Sequence, residues 1–265
     1  ISLDHMQFLG NTVREIAGEK AGIIVPGVPV IYDGNDKDAA EVIAAKAKEL
    51  GSPAYKVVQA GAKVLGNNKD GIDFSLEDDY YGDTRFHIPF IAWYQVMNAS
   101  LALTTMEVLK DRIPVTMEQL QAGIANTRWQ GRMETILPGV IVDGAHNEDG
   151  VRRFVETAER FQKEYPLTLL FSAVNDKDYQ DMIHTICSRI KFRKVVTTEV
   201  GGYREVPSAE LAEIFCKEGC KDIGNSDNIE EAFHMAHEAK GEDGMLFCVG
   251  SLYLVGEIKT LLLKK

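Results

Sequence analysis

Five short stretches carry residue types that could do chemistry. In TVREIAGEKAGII, Lys20 stands in line with Val13, Ile16, Ala17, Ala21 and Ile24, the apolar stripe of an amphipathic helix. One reading is a lysine whose stem packs while its ammonium reaches water. The other is a desolvated, neutral amine, a nucleophile that can take up dissolved carbon dioxide as a carbamate. That product puts a carboxylate in place of a cation and suits a hard ion such as Mg²⁺. Asp4 and His5 follow a strand end, a usual place for site residues, although a lone histidine also serves structure. Arg132 lies beside Gly131 in a linker and can offer a planar fork to phosphate oxygens, or simply be a surface arginine. In DGAHN, Asp143 can accept from ribose hydroxyls or orient a neighbour, and His146 can donate toward phosphate. The plainer reading there is an Asp-Gly turn with a capping role. Ser251 reads as the cap of a last helix.

The elements that must position these residues fall into two patterns. Thr12 and Glu15 form a capping box that opens the first helix. VPGVPVIYDG reads as a short buried strand, and DKDAAEVIAAKAKEL as a helix ended by Gly51. AYKVV, GIDFSL and TRFHIPF read as strands of a more exposed sheet. Two helices follow, AWYQVMNASLALTTMEVLKDR and TMEQLQAGIANT. From METILPGVIVDG onward the pattern changes. Apolar strands VIVDG, LTLLFSA, KVVTTEV and MLFCVG alternate with helices, which predicts a parallel sheet covered on both faces. The boundary falls in NTRWQGR, giving a first domain over residues 1–127 and a second over 128–265. ISLDHM reads as a strand end with no sheet before it, so the first block reads as the back half of a domain.

A net charge of −11 argues against a nucleic-acid or anionic-membrane surface, but leaves room for an anionic small substrate in a local basic pocket. Cys187, Cys216, Cys220 and Cys248 form no CxxC pair and read as reduced thiols. No apolar run approaches the ~20 residues of a membrane helix. These features place the protein in the cytoplasm.

The motifs, taken as a unit, have a precedent. DHxxxLGxT…EKAGI resembles the ATP-dependent ligases that add glutamate to folates, the folylpolyglutamate and dihydrofolate synthases of the Mur ligase superfamily. The resemblance continues through Tyr94-Gln95-Val96-Met97-Asn98-Ala99, with Tyr94 where the family has histidine. It includes Arg128-Trp129-Gln130-Gly131-Arg132-Met133-Glu134, with Gln130 where proline is usual. It closes with the full D-G-A-H-N of 143–147 and Gly250-Ser251-Leu252-Tyr253. The match spans nearly all 265 residues. It implies that His5 and a carbamylated Lys20 bind Mg²⁺, that Asn98 contacts adenine, and that Arg132 reaches the phosphates, with Asp143 and His146 beside it. It also implies an α/β fold: the back half of a P-loop-type ATPase domain, then a Rossmann-like, doubly wound domain.

The implied activity is amide bond formation between a folate carboxylate and glutamate through an acyl phosphate, with ATP and Mg²⁺ and by a monomer. Lys20 and His146 are the expected catalytic residues. The family's GxxGKGS phosphate cradle is found nowhere in the 265 residues, and no GxGxxG is present either. The chain by itself is therefore expected to bind ATP weakly and not to ligate. Another Mur-type amino-acid ligase, or a non-catalytic nucleotide-binding module, are the alternatives.

Overall fold

Thr12 opens the first helix by reciprocal capping. Its Oγ1 accepts the Glu15 N–H at 3.2 Å, and the Glu15 carboxylate accepts the Thr12 N–H at 3.1 Å. The structure is a computed structural model that describes residues 12–175, 178–202 and 205–263. The chain divides after Arg128 into two compact units.

In the first unit, α1 (Val13–Ala21) packs on α2 (Lys37–Glu49). Ala21, Ile24, Tyr32, Ala40 and Ile43 form the shared apolar cluster. Strand β1 (Val30–Asp33) pairs in parallel with β2 (Ala54–Val57), and α2 is the crossover that a parallel pair requires. This differs from the sequence expectation, which put AYKVV on the other sheet. Period-2 alternation marks a strand but does not name its partner.

That other sheet is antiparallel and consists of β3 (Ala62–Asn68), β4 (Gly71–Leu76) and β5 (Phe86–Ile88). The sequence reading missed β3, whose short apolar run is bracketed by glycines and asparagines. Nor is this sheet open on both sides. Ile72, Phe74, Phe86 and Ile88 are at most 2% exposed. Helices α3 (Tyr94–Val108) and α4 (Met117–Ala125) cover them through Val96, Leu103 and Leu120.

The second unit follows the predicted alternation. Its strands are β6 (Glu134–Leu137), β7 (Val140–Asp143), β8 (Leu167–Phe171), β9 (Phe192–Thr197), β10 (Ile223–Asn225) and β11 (Met245–Val249). They lie in the order β10-β9-β8-β11-β7-β6. All neighbours are parallel except β6, a short antiparallel edge strand joined to β7 by a turn at Gly139. Between them run α5 (Glu148–Phe161), α6 (Tyr179–Arg189), α7 (Ser208–Lys217) and α8 (Ile229–Lys240), and α9 (Leu252–Leu263) closes the chain.

Side chains alternate across the sheet, and both faces are dry. Val140, Val142, Leu246 and Cys248 meet Phe233, Leu254 and Ile258 of α8 and α9. On the opposite face Phe247 meets Phe154 of α5 edge-on at 5.5 Å, and Phe171 meets Phe215 of α7 at 5.3 Å. Each such buried ring contributes about 1.5–3 kcal/mol. Burial on both sides is why these strands read as continuous apolar runs.

The register sets where the site residues sit. Val249 is level with Asp143 on one side and with Phe171 on the other. The loops after β7, β8 and β11 therefore leave one carboxyl edge at the same height, where open α/β sheets place ligands.

Candidate functional site

Asp143 is the last residue of β7 and is only 4% exposed. Its Oδ1 accepts the Ala145 N–H at 2.8 Å, and its Oδ2 accepts the Met133 N–H at 2.8 Å. Burial pushes the carboxyl up to about 6, although both amides and the charges of Arg132 and His146 pull the other way. Of the two roles open to it from sequence, this geometry fits orientation of a neighbour. Both oxygens already hold backbone donors, and those donors belong to the two loops that carry Arg132 and His146.

The Arg132 loop is tightly shaped. Gly131 has φ +66° and Met133 has φ +45°. Met133 is 1% exposed, so a non-glycine residue is held in the left-handed region by its surroundings. The Gly131 N–H donates to Glu134 Oε2 at 2.8 Å, and the Gly144 N–H donates to Gly131 O at 2.8 Å. Arg132, half-buried, is thereby fixed between two clamped residues.

In the next loop the Nδ1 of half-buried His146 lies 2.7 Å from Gly144 O. A carbonyl can only accept, so Nδ1 carries the hydrogen. The remaining nitrogen, Nε2, is an acceptor in the neutral ring and a donor only in the imidazolium. Asn147 ends the loop as the N-cap of α5, accepting the Gly150 N–H at 2.8 Å.

The third loop interlocks with these two. A Cβ on Gly144 would lie 2.1 Å from Leu252 Cδ2, so Leu252 sits directly on that glycine. Gly250 has φ +112°, and a Cβ there would fall 1.9 Å from Ser172 O. Ser251, 2% exposed, caps α9, its Oγ accepting the Tyr253 N–H at 3.1 Å. The Oγ of Ser172 is fully buried at this edge and has no hydrogen-bond partner among the described residues.

The edge is not uniform in charge. Arg132 and His146 mark one part. Farther along, a hollow of about 340 Å³ is lined by Glu199, Asp227, Glu230 and Glu257. The four carboxylates of that hollow repel anions, whereas the part marked by Arg132 and His146 does not.

The first-unit candidates stand as follows. Asn98 is exposed on α3, and its Nδ2 donates to Oε1 of buried Gln95 at 2.8 Å. Beside it, Asn35 ties Asp33 at the end of β1 to Met97 on the same helix. The sequence reading missed Asn35; the local signal was the DGND turn after β1. Lys20 is exposed, not turned inward. The covered face of α1 runs through Ile16, Ala17 and Ala21 toward α2, and the strip through Lys20 lies beside it. His5 lies outside the described residues. Among the described residues no three His, Cys, Asp or Glu side chains converge on a metal position.

Residues 131–252 match the family described as "Mur ligase, glutamate ligase domain". Over these residues the chain is similar to the glutamate ligase domain of the Mur ligases. In that domain lie Gly131, Arg132, Asp143, His146 and Gly250, the residues whose loops meet at the carboxyl edge. The whole chain is 32% identical to the dihydrofolate synthase/folylpolyglutamate synthase of Bacillus subtilis, over 98% of its own length and 60% of that protein. Two solved structures align over 99% of the chain and 60% of theirs. These are the apo form of L. casei FPGS, with TM-score 0.78 and 26% identity, and the FPGS–AMPPCP complex, with TM-score 0.75 and 27% identity. The chain thus spans about 60% of the length of these relatives. The similarity to these proteins agrees with the doubly wound second unit.

Proposed function

We propose that the protein carrying this chain is an ATP-dependent ligase that joins L-glutamate to a reduced folate through an acyl phosphate. What carries the reading is one observation. A single buried carboxylate, Asp143, binds backbone donors of both the WQGRME and the DGAHN segments and brings Arg132 and His146 to one sheet edge. The relatives named folylpolyglutamate synthase, and the AMPPCP bound in one of them, support the same substrates.

In this reading Arg132 pairs with nucleotide phosphate oxygens through its planar fork. His146 accepts at Nε2 when neutral and donates to phosphate when protonated, which lets it hold a proton near the leaving oxygens. Asp143 keeps both loops in place. Ser172 Oγ, buried without a partner among the described residues, is a hydroxyl available to a bound group at that edge. Asn98 is the candidate for the adenine edge, from the first unit, read as the ATPase portion. Lys20, as its carbamate, and His5 are assigned to a Mg²⁺ ion, which when bound offsets charge on phosphate oxygens. Only the EKAGII and DH motifs support that assignment, since Lys20 is exposed rather than desolvated, and no step is built on it. We place the protein in the cytoplasm as a monomer acting on small molecules rather than nucleic acid or lipid. The net charge of −11 supports this, and among the described residues no helix is long and apolar enough to cross a membrane.

The test is ADP binding by titration calorimetry with wild type, Arg132→Ala and Arg132→Lys. We expect the alanine variant to lose about tenfold or more in affinity, and lysine to restore only part, because it cannot pair in bidentate fashion. Equal affinity in all three variants refutes the role of the site.

A further inference from the structure

The Arg132 turn has a second support that belongs to none of the sequence motifs. Lys259, on α9, lies 125 residues beyond Glu134 in sequence. Its Nζ donates to Glu134 Oε1 at 2.7 Å and to Oε2 at 3.0 Å. The side chains are 26% and 24% exposed, so the pair is partly withdrawn from water. Glu134 Oε2 is the same oxygen that accepts the Gly131 N–H.

We propose that Lys259 is a positioning residue for the nucleotide site, acting through Glu134 on the Gly131 turn and so on Arg132. The inference rests on the nucleotide-binding reading given above. A lone glutamate at this position has three rotatable torsions and would spend much of its time in water. Two contacts from Lys259 fix both oxygens and leave Oε2 aimed at the Gly131 amide. That amide is buried and needs an acceptor. With it held, Gly131 keeps the φ of +66° that its turn requires, and its carbonyl stays under the Gly144 N–H. The backbone on either side of Arg132 is then fixed, from Glu134 on one side and from Asp143, through Met133, on the other. Lys259 also ties the turn to α9, the helix whose Leu252 covers Gly144. The lysine thereby joins the closing helix to the phosphate-facing loop without touching a ligand.

The test uses Lys259→Met, which keeps the stem but removes the charge, with Lys259→Arg as the rescue and Glu134→Gln as a second route to the same loss. Two readouts are taken on each folded protein: hydrogen exchange at the Gly131 amide, with the Ala145 amide as internal control, and ADP affinity by calorimetry. The expected result for Lys259→Met and Glu134→Gln is faster exchange at Gly131, unchanged exchange at Ala145 and little change in Tm. ADP binding should weaken about five- to tenfold, and Lys259→Arg should restore both readouts. Unchanged Gly131 exchange in both variants overturns the clamp. Faster exchange with unaltered ADP affinity overturns the positioning role. Failure of the wild-type protein that carries this chain to bind ADP refutes the nucleotide reading and this role with it, and the exchange data then still report whether the clamp exists.

Discussion

The carboxylate of Asp143 reaches back ten residues to accept the Met133 N–H at 2.8 Å, while its other oxygen holds Ala145. One buried anion thus spans the antiparallel edge strand, the first parallel strand and the loop that follows it. The two amides favour the ionised carboxylate, while burial, the larger effect, favours the protonated one. A protonated carboxyl gives up one of its acceptor positions to a hydrogen, and two amide donors are then served by fewer lone pairs.

Asp143 leaves a signature in the pH dependence of stability. Its folded-state value of about 6 lies above the ordinary 3.8, so the folded chain binds this proton more tightly than the unfolded chain does. The resulting stabilisation is complete below about pH 4 and fades as pH rises through about 6, by about 3 kcal/mol in all. Asparagine at 143 cannot titrate and also turns a donor toward one of the two amides. Urea unfolding of Asp143→Asn should show a deficit at every pH, largest in acid and shrinking toward neutrality. A deficit that stays constant from about pH 4 to about pH 7 contradicts the buried-carboxylate account.

Gly250 gives a sharper structural prediction. A side chain there suffers both a φ of +112° and a backbone oxygen, Ser172 O, 1.9 Å from the new Cβ. Backbone cannot swing aside as a side chain can. Gly250→Ala should cost about 3 kcal/mol or more. Gly256, in the middle of α9 with nothing within 4 Å, is the matched control. Gly256→Ala should be neutral or stabilise by up to about 1 kcal/mol, since alanine favours helix. Thermal unfolding of the pair distinguishes a local steric requirement from a general intolerance of change in this segment.

Gly144 and Leu252 should behave as one unit. The 2.1 Å approach of Leu252 Cδ2 to the missing Cβ means that alanine at 144 displaces the leucine. Because Leu252 is 47% exposed, it has room to move, and the cost should be modest, about 1–2 kcal/mol. In the double variant Gly144→Ala, Leu252→Ala the obstruction is gone. A double-mutant cycle should therefore give a coupling of about 1 kcal/mol or more, the double being more stable than the sum of the singles implies. Additive effects would mean that the two loops are not in contact in solution.

Much of this was legible in the sequence, for identifiable reasons. The second unit could be read because strands buried on both faces are continuous apolar runs, and VIVDG, LTLLFSA and MLFCVG are of that kind. The capping box at Thr12 is local and formed as expected, and Thr116, read only as a helix start, closes a second one with Gln119. Strand partnership was not legible. AYKV and AKVLGNN carry no mark that sends one to β1 and the other to β4, because pairing is settled by packing far away in sequence. The motif residues Arg132, Asp143 and His146 were singled out by type and by the order of the motifs. The hydrogen bonds that join them were hidden, since a backbone N–H such as that of Met133 has no letter of its own. Lys259 was invisible for a related reason: a lysine on an amphipathic helix looks the same whether it faces water or a half-buried glutamate 125 residues away.

His146 yields a prediction in which protonation and ligand binding are linked. The hydrogen on Nδ1 is committed to Gly144 O, so any donation toward a phosphate must come from Nε2, and Nε2 carries a hydrogen only in the imidazolium. A phosphate nearby in turn favours the charged ring, by opposite-charge attraction. Binding of ADP should therefore take up a proton, and wild-type affinity should rise as the solution is made more acidic. His146→Gln keeps a donor whose charge does not change, so its affinity should show a weaker pH dependence, with the gap from wild type widening in acid. Calorimetry in two buffers of different ionisation enthalpy counts the protons directly. Proton uptake on binding by wild type and its reduction in His146→Gln is the expected pair of results. Equal uptake by both proteins would place the titrating group elsewhere and remove His146 from the phosphate side of the site.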